Sequence, residues 1–306
     1  MFLLNIINRF KYFFTSFAKY IFKINFQCPY CNSNFHNIIS RKYIFTILVR
    51  CKECKLMFRI PTTTTKESNE FYQKKYTGGG QSLKNDIKNF TIDMPNIDSL
   101  TDPKNIDFKN TEKDYSNYIE VLSSLKKIVE NKKIKIFDYG CSWGYGSYQI
   151  QKAGYEVSSF EISKSRSNYA NTRLDINTIN DLSLVEKESY DIFFSAHVLE
   201  HLPDPKKTID FALSIVKKNN YIVIFVPNGS INRKNKDSNW DKLWGLVHPN
   251  LIDEIFYMNV FNQQQYFITS SFKEDEKYLP NFINGSENFC GRLDLNELLI
   301  IVKKIN

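Results

Sequence analysis

The chain has 306 residues, 42% hydrophobic and 24% charged, which excludes global disorder and leaves room for one catalytic domain plus a small module. Its net charge of +8 is uneven: residues 1–60 carry ten Lys or Arg against the single acid Glu53, so the remainder sums to about −1 and is not a basic, polyanion-binding body. Six cysteines, four of them in two close pairs, fit a metal site in a reducing, cytoplasmic setting and not a disulfide framework.

Residues 1–26 read as a basic amphipathic helix. Leu3, Ile6, Ile7, Phe10, Phe13, Phe14, Phe17 and Ile21 follow three-and-four spacing, with Arg9, Lys11, Ser16, Lys19 and Lys23 opposite. No apolar run reaches the roughly 18–20 residues of a membrane span. Two readings stay open for residues 2–24: peripheral contact with a membrane surface, or packing on the protein's own body or on a second subunit.

Residues 27–62 read as short strands around two knuckles, Cys28-Pro-Tyr-Cys31 and Cys51-Lys-Glu-Cys54. Two C-x-x-C pairs can close a tetrahedron of thiolates on a structural Zn²⁺ with no open coordination position, the zinc-ribbon pattern. His36 reads as a solvated loop residue. Residues 63–115 form a polar connector or substrate-side flap, with TTTT at 62–65, GGG at 78–80 and one helix near Glu67–Lys75.

From residue 116 strands and helices alternate. Helices are expected at Asn117–Glu130, Gly146–Ala153, Lys164–Asn171, Pro205–Lys217 and near Leu251–Tyr257. Strands are expected from Lys135, at Glu156–Phe160, Ile176–Ile179, Tyr190–Ser195 and Tyr221–Val226. Strands that are apolar on both faces imply a parallel sheet covered on both sides. Gln265–Thr269 and Glu297–Val302 have nothing plainly helical between them and read as an antiparallel hairpin. The expected fold is α/β: a Rossmann-like, mostly parallel sheet over residues 116–306 with an antiparallel C-terminal hairpin, preceded by the small zinc ribbon.

Within residues 136–163, IFDYGCSWGYGSYQIQKAGYEVSSFEIS, a buried strand ends at Asp138 and Gly140, Gly144 and Gly146 open a helix. Glycines at such a turn let a ligand approach the backbone, and Glu161 ends the next strand where a ribose-binding carboxylate belongs. The dinucleotide fingerprint is G-x-G-x-x-G; here the order is G-x-x-x-G-x-G, with an acid two residues before the first glycine. A carboxylate beside a pyrophosphate is unfavourable but is compatible with the amino end of a methionine-like ligand. The residues therefore favour a sulfonium donor over NAD.

Residues 134–226 resemble a class I S-adenosylmethionine-dependent methyltransferase of the small-molecule type. The resemblance rests on the Asp-x-Gly-Cys-x-x-Gly loop, Glu161, the DIFFSAHVLEHLPDP run at 191–205 and the YIVIFVPN strand at 221–228. It implies that the loop, including Cys141, holds the methionine moiety and that Glu161 binds both ribose hydroxyls. It further implies that Asn180 or Asp181 reaches the adenine amine, and that Ser195, Ala196 and His197 line the donor pocket. Ser142 stands where the family usually has Gly.

On the acceptor side, His201 follows the fourth strand and His248 lies in the 229–250 insertion at the same sheet edge. Either is a candidate proton acceptor for a hydroxyl substrate. Trp240 and Trp244 read as a hydrophobic lid or a stacking surface. The turn Ser195-Ala-His-Val is unlike the Asn/Asp-Pro-Pro-aromatic turn of nucleobase-amine methylation, and neither Cys141 nor Cys290 is placed as a cytosine nucleophile. The expected acceptor is a small molecule, a sugar or a lipid-linked glycan, with O-methylation favoured and nucleic acid disfavoured. The alternative is an RNA methyltransferase that uses the basic ribbon end.

Overall fold

The computed structural model describes residues 14–42, 44–74, 106–111, 113–128 and 133–305. The glycine run at 78–80 and the first half of the N-terminal helix pattern lie outside them.

The expected alternation is present. Strands β4 (Lys135–Tyr139), β5 (Glu156–Phe160), β6 (Asn177–Ile179), β7 (Tyr190–Ala196) and β8 (Val216–Pro227) pair in parallel in the order β8-β7-β4-β5-β6. The reason β4, β7 and β8 carry continuous apolar runs is visible in which core each residue enters. Ile136, Ile192, Phe194, Val223 and Phe225 pack on one face with Val121, Leu122 and Leu125 of helix α3 (Ser116–Ile128). Phe137, Phe193, Ile222, Ile224 and Val226 pack on the other with Ile209, Ala212 and Ile215 of helix α6 (Pro205–Ile215). Successive side chains alternate faces, so a strand buried on both sides needs an apolar residue at every position.

Two of the boundaries that differ from expectation have a plain cause. Helix α6 stops at Ile215 and runs directly into β8, because Val216 pairs with Tyr190 and the sheet takes the backbone that the helical pattern would have continued. The helix expected near Leu251–Tyr257 begins later, as α8 (Glu254–Val260), capped by Asp253, whose carboxylate accepts the Phe256 N–H at 3.0 Å. Leu251 instead belongs to a short strand, β9 (Asn250–Leu251).

The last strands, β10 (Gln265–Thr269) and β12 (Glu297–Lys303), do pair antiparallel, with Phe267 opposite Ile301, and β12 pairs antiparallel with β8. They are not joined by a tight turn. Helices α9 (Phe272–Asp275) and α10 (Leu279–Asn284) and the edge strand β11 (Phe289–Cys290) lie between them.

The N-terminal module is an antiparallel sheet of β1 (His36–Arg41), β2 (Ile47–Cys51) and β3 (Met57–Ile60), extended by β9 from the 229–250 insertion. Met57 pairs with Leu251 and Phe58 with Asn250. The join is reinforced by Arg50, whose guanidinium meets the fully buried Asp253 carboxylate at 2.5 Å, and by Ser40, which donates to Asp241 at 2.7 Å. Trp240 and Trp244 are buried with Leu48, Met57 and Leu251, so they form the core of this join and do not offer a stacking surface. His36 opens β1 with its ring edge-on to Phe58 and is not a solvated loop residue.

Residues 14–21 are helical. Ser16 is buried there, whereas Phe14, Phe17, Ile21 and the following Phe22 are 45–73% exposed. Helix α2 (Thr65–Lys74) follows the ribbon, with a capping box in which Thr64 Oγ1 accepts from the Glu67 N–H and Glu67 accepts from the Thr64 N–H. Lys19 forms an ion pair with Glu67, tying the N-terminal helix to α2. Among the described residues no helix is long and apolar enough to cross a membrane.

Candidate active site

A cavity of about 280 Å³ opens at the carboxyl ends of β4 and β5, beside the loop after β7, where the strand order reverses direction. This is where ligands bind in open α/β sheets. Tyr139 and Gly140 come from the end of β4, and Phe160, Glu161 and Ile162 from the end of β5. His197, Val198 and His201 come from the segment after β7, and Thr65, Ser68 and Asn69 of α2 close one side.

Gly140 has φ +85°, and a Cβ there would stand 2.6 Å from a Val198 methyl; only glycine fits. Ser142 also takes a left-handed conformation, φ +56°. The position thus has the backbone for which a glycine is suited, and the serine is tied in on both sides. Its N–H donates to Glu161 Oε2 at 3.0 Å and its hydroxyl accepts from Arg166 at 2.6 Å. Glu161 is 5% exposed, and its other oxygen accepts the Ser163 N–H at 2.8 Å. Burial pushes its carboxyl up, against the pull of the Ser163 and Ser142 amides and Arg166. Each oxygen retains a lone pair for a further donor.

The other loop residues are placed behind the cavity wall. Asp138 accepts from Ser147 at 2.5 Å, and Ser147 in turn contacts Ser159 at 2.8 Å. Burial raises Asp138 to about 7, with the Ser147 bond opposing and Glu161 adding. Gly144 caps helix α4 (Tyr145–Lys152) and lies against Ala170 of helix α5 (Lys164–Leu174). Gly146 lies under the Tyr115 ring, which an added Cβ would meet at 2.2 Å. Tyr115 is therefore part of the loop's environment, a contact that nothing in the local sequence pattern marks. Cys141 is buried, and burial pushes its thiol well up, so it packs as a small neutral residue. Asn180 and Asp181 are exposed just after β6, with Asp181 accepting the Ser183 N–H at 2.9 Å. Ser195 is buried and donates to the Tyr139 carbonyl at 3.3 Å, and Ala196 is half-buried.

Beside the cavity six ionisable side chains from four parts of the chain converge: Tyr118, His197, Glu200, His201, His248 and Glu297. His197, at φ +56°, contacts Glu297 of β12 through Nε2 at 2.6 Å and Glu200 through Nδ1 at 3.5 Å. Burial opposes its protonation, but the neighbouring Glu200 and Glu297 carboxylates raise it to about 10. Tyr118 of α3 donates to the same Glu297 oxygen at 2.8 Å. His201 turns its Nδ1 to the Val247 carbonyl at 2.9 Å, and His248 turns its Nδ1 to the Leu243 carbonyl at 2.9 Å. Their rings stand 4.5 Å apart. Burial lowers the His201 pKa below its usual 6.5, with Glu200 opposing, so its imidazole is neutral at neutral pH. Asn250 fixes the loop from below by donating to the carbonyls of Leu202 at 2.7 Å and Leu199 at 3.3 Å.

In the N-terminal module, the Cys28, Cys31, Cys51 and Cys54 sulfurs lie within 4.8 Å of one another. The closest pairs, Cys28 with Cys54 and Cys31 with Cys51, are 3.4 Å apart and not disulfide-bonded. Tetrahedral thiolates on Zn²⁺ at ~2.3 Å stand about 3.8 Å apart, so the four fit that ion with a small expansion.

A twisted parallel sheet with a glycine turn after its first strand, a buried acid after its second and a cavity above both defines a class I S-adenosylmethionine-dependent methyltransferase. Residues 110–267 match the model of the methyltransferase domain family, and the chain belongs to that family. It is 30% identical over 113 residues to a ubiquinone biosynthesis O-methyltransferase of Hydrogenovibrio crunogenus, a match that covers 34% of this chain and 46% of that protein. The chain thus spans about half the length of that curated relative. Among solved structures it is similar to the plantazolicin methyltransferase BpumL in complex with a desmethyl substrate analogue and S-adenosylhomocysteine, at 16% identity and a TM-score of 0.46 over 62% of this chain and 83% of that one. It is also similar to a TehB-like methyltransferase of Corynebacterium glutamicum, at 14% identity and a TM-score of 0.42 over 62% and 89%.

Proposed function

We propose that the protein transfers a methyl group from S-adenosylmethionine to a hydroxyl of a small molecule, a sugar or a lipid-linked glycan. The observation that carries this reading is that neutral His201 and carboxylate Glu161 line one cavity. Bound in it, the donor supplies an electrophilic methyl on a sulfonium. Glu161 has lone pairs left for the ribose hydroxyls, and Phe160, Ile162 and Leu182 offer apolar walls to the adenine. Asn180 and Asp181, exposed at the end of β6, are the candidates for the adenine amine. Gly140 permits close approach at the methionine end. His201 Nε2, its lone pair free because Nδ1 donates to Val247, accepts the hydroxyl proton as the acceptor oxygen attacks. His197, held as an imidazolium between Glu200 and Glu297, contributes positive charge and position but not a base.

A structural Zn²⁺ on the four cysteines is part of the same proposal, and free thiols in that cluster support a reducing compartment. The exposed stripe of Phe14, Phe17, Ile21 and Phe22 in a basic, acid-poor segment supports peripheral contact with an anionic membrane, consistent with a lipid-linked acceptor. Incubation with methyl-labelled S-adenosylmethionine and fractionated cell extract tests the reading. Label in glycan, lipid or small-molecule fractions agrees with it, and label in RNA transfers the assignment to the basic ribbon alternative.

A further inference from the structure

Glu200 is the most unusual side chain beside the cavity. It is 2% exposed, and neither carboxylate oxygen accepts a hydrogen bond. Its nearest polar neighbours are the His197 Nδ1 at 3.5 Å and the His201 Nε2 at 3.8 Å. The hydroxyl of fully buried Tyr257, on α8, is likewise without a partner and close enough to Glu200 to feel its charge. The His197 imidazolium balances part of the Glu200 charge, and both oxygens keep lone pairs for a further ligand.

The two histidines around it are arranged alike. A backbone carbonyl only accepts, so His201 and His248 each donate from Nδ1, to Val247 and Leu243, and each leaves a bare lone pair on Nε2. Fixing an imidazole by an Nδ1–H bond to a carbonyl is how proteins aim Nε2 at a metal. One ligand atom from each of Glu200, His201 and His248 lies within 4.8 Å of the others. We propose that Glu200, His201 and His248 bind a divalent transition-metal ion, separate from the four-cysteine site.

Two imidazoles and one carboxylate are the donor set of an open zinc centre, and they suit Mn²⁺, Fe²⁺ or Co²⁺ as well. Four soft thiolates make a closed centre; three hard-to-borderline ligands leave a coordination position vacant. Because His201 also lines the cavity, that position is available to an acceptor oxygen. There the ion would act as a Lewis acid and lower the pKa of a bound hydroxyl, whose proton would leave to solvent water because His201 Nε2 would then be a ligand and not a base. The metal site stands on its own geometry; its service to an acceptor rests on the proposed methyl transfer.

The test loads the full-length protein with Co²⁺, removes the excess, and measures bound cobalt together with its visible and near-ultraviolet absorption. The expected result is cobalt beyond the equivalent that gives thiolate charge-transfer bands, with weak d–d bands of nitrogen and oxygen ligation. His248→Ala and Glu200→Gln are each expected to lose the added equivalent and keep the thiolate bands, and His248→Asp, which offers a carboxylate oxygen in place of the lost nitrogen, to regain it. Wild-type protein that holds only the thiolate-bound equivalent overturns the proposal whatever the variants do. So does an added equivalent that survives His248→Ala. Calorimetry with S-adenosylmethionine on the same samples separates the two readings: absent donor binding with the added cobalt present defeats the proposed function and leaves the metal site intact.

Discussion

Replacing Glu161 with Gln tests the donor half of the site in its sharpest form. The side chain keeps its size but loses its charge, and one oxygen becomes an amide that cannot accept the Ser163 or Ser142 N–H it replaces at 2.8–3.0 Å. Hydrogen bonds to a charged group contribute about 1.5–3 kcal/mol each. Two ribose hydroxyls on this carboxylate therefore put the loss at about 3 kcal/mol or more, which is roughly 100-fold in affinity. Glu161 is only 5% exposed, so solvent does little to screen the effect. Isothermal calorimetry with S-adenosylmethionine and S-adenosylhomocysteine reads the change, and thermal melting without ligand reports whether the fold persists. A folded Glu161→Gln protein that binds the donor within about threefold of wild type would refute the assignment of the carboxylate to the ribose.

Three further outcomes are expected. His201→Asn lowers kcat by about 10²–10⁴ with donor affinity unchanged; because burial lowers the His201 pKa, the acid limb of the wild-type kcat/KM profile lies at a lower pH than a free imidazole would give. Asp138, raised by burial from 3.8 to about 7, binds a proton in the folded state that the unfolded chain has already released, so stability falls as pH rises through that window and is level above it. Asp138→Asn, which can still accept from Ser147, is expected to remove most of that slope in melting temperature; an unchanged slope would show that the proton resides elsewhere. A strong chelator, or Cys31→Ser, lowers the melting temperature of the whole protein in one transition, because zinc binding contributes on the order of 10 kcal/mol to folding and the cysteines share a core with the sheet. A separate early melt that leaves the remaining transition in place would contradict this coupling.

The parts of the site legible in the sequence are those written by local geometry. Gly140 and Glu161 each sit at a strand end, and a strand-turn-helix pattern announces both. The paired cysteines are equally local. The Ser142 departure is also a local matter, and its left-handed φ accounts for why glycine is the usual occupant. Residues brought in by tertiary packing had no such signal. Thr65, Ser68 and Asn69 line the cavity only because α2 folds back over it, and Tyr115 covers Gly146 only because α3 lies on the sheet. Glu297 reaches His197 because β12 is inserted antiparallel beside β8, with Glu297 opposite Pro227. The end of α6 departs from its sequence pattern for a related reason: a helix-compatible Val216-Lys217 is claimed by sheet pairing. The antiparallel pair β10–β12 was readable as strands, whereas the helices between them were short and weakly patterned.

The pairing of β3 with β9 has a consequence for how such an enzyme can be altered. Arg59 donates its N–H to the Pro249 carbonyl at 2.7 Å, one residue after His248 and one before Asn250, which grips the loop of His201. The cysteine-bearing hairpins and the 229–250 insertion are thus a single packed unit assembled across a gap of nearly two hundred positions. A chimera that exchanges only the insertion to change the acceptor will mismatch its own foundation. One that moves residues 27–62 and 229–253 together keeps the sheet, the Arg50–Asp253 pair and the histidine geometry in register.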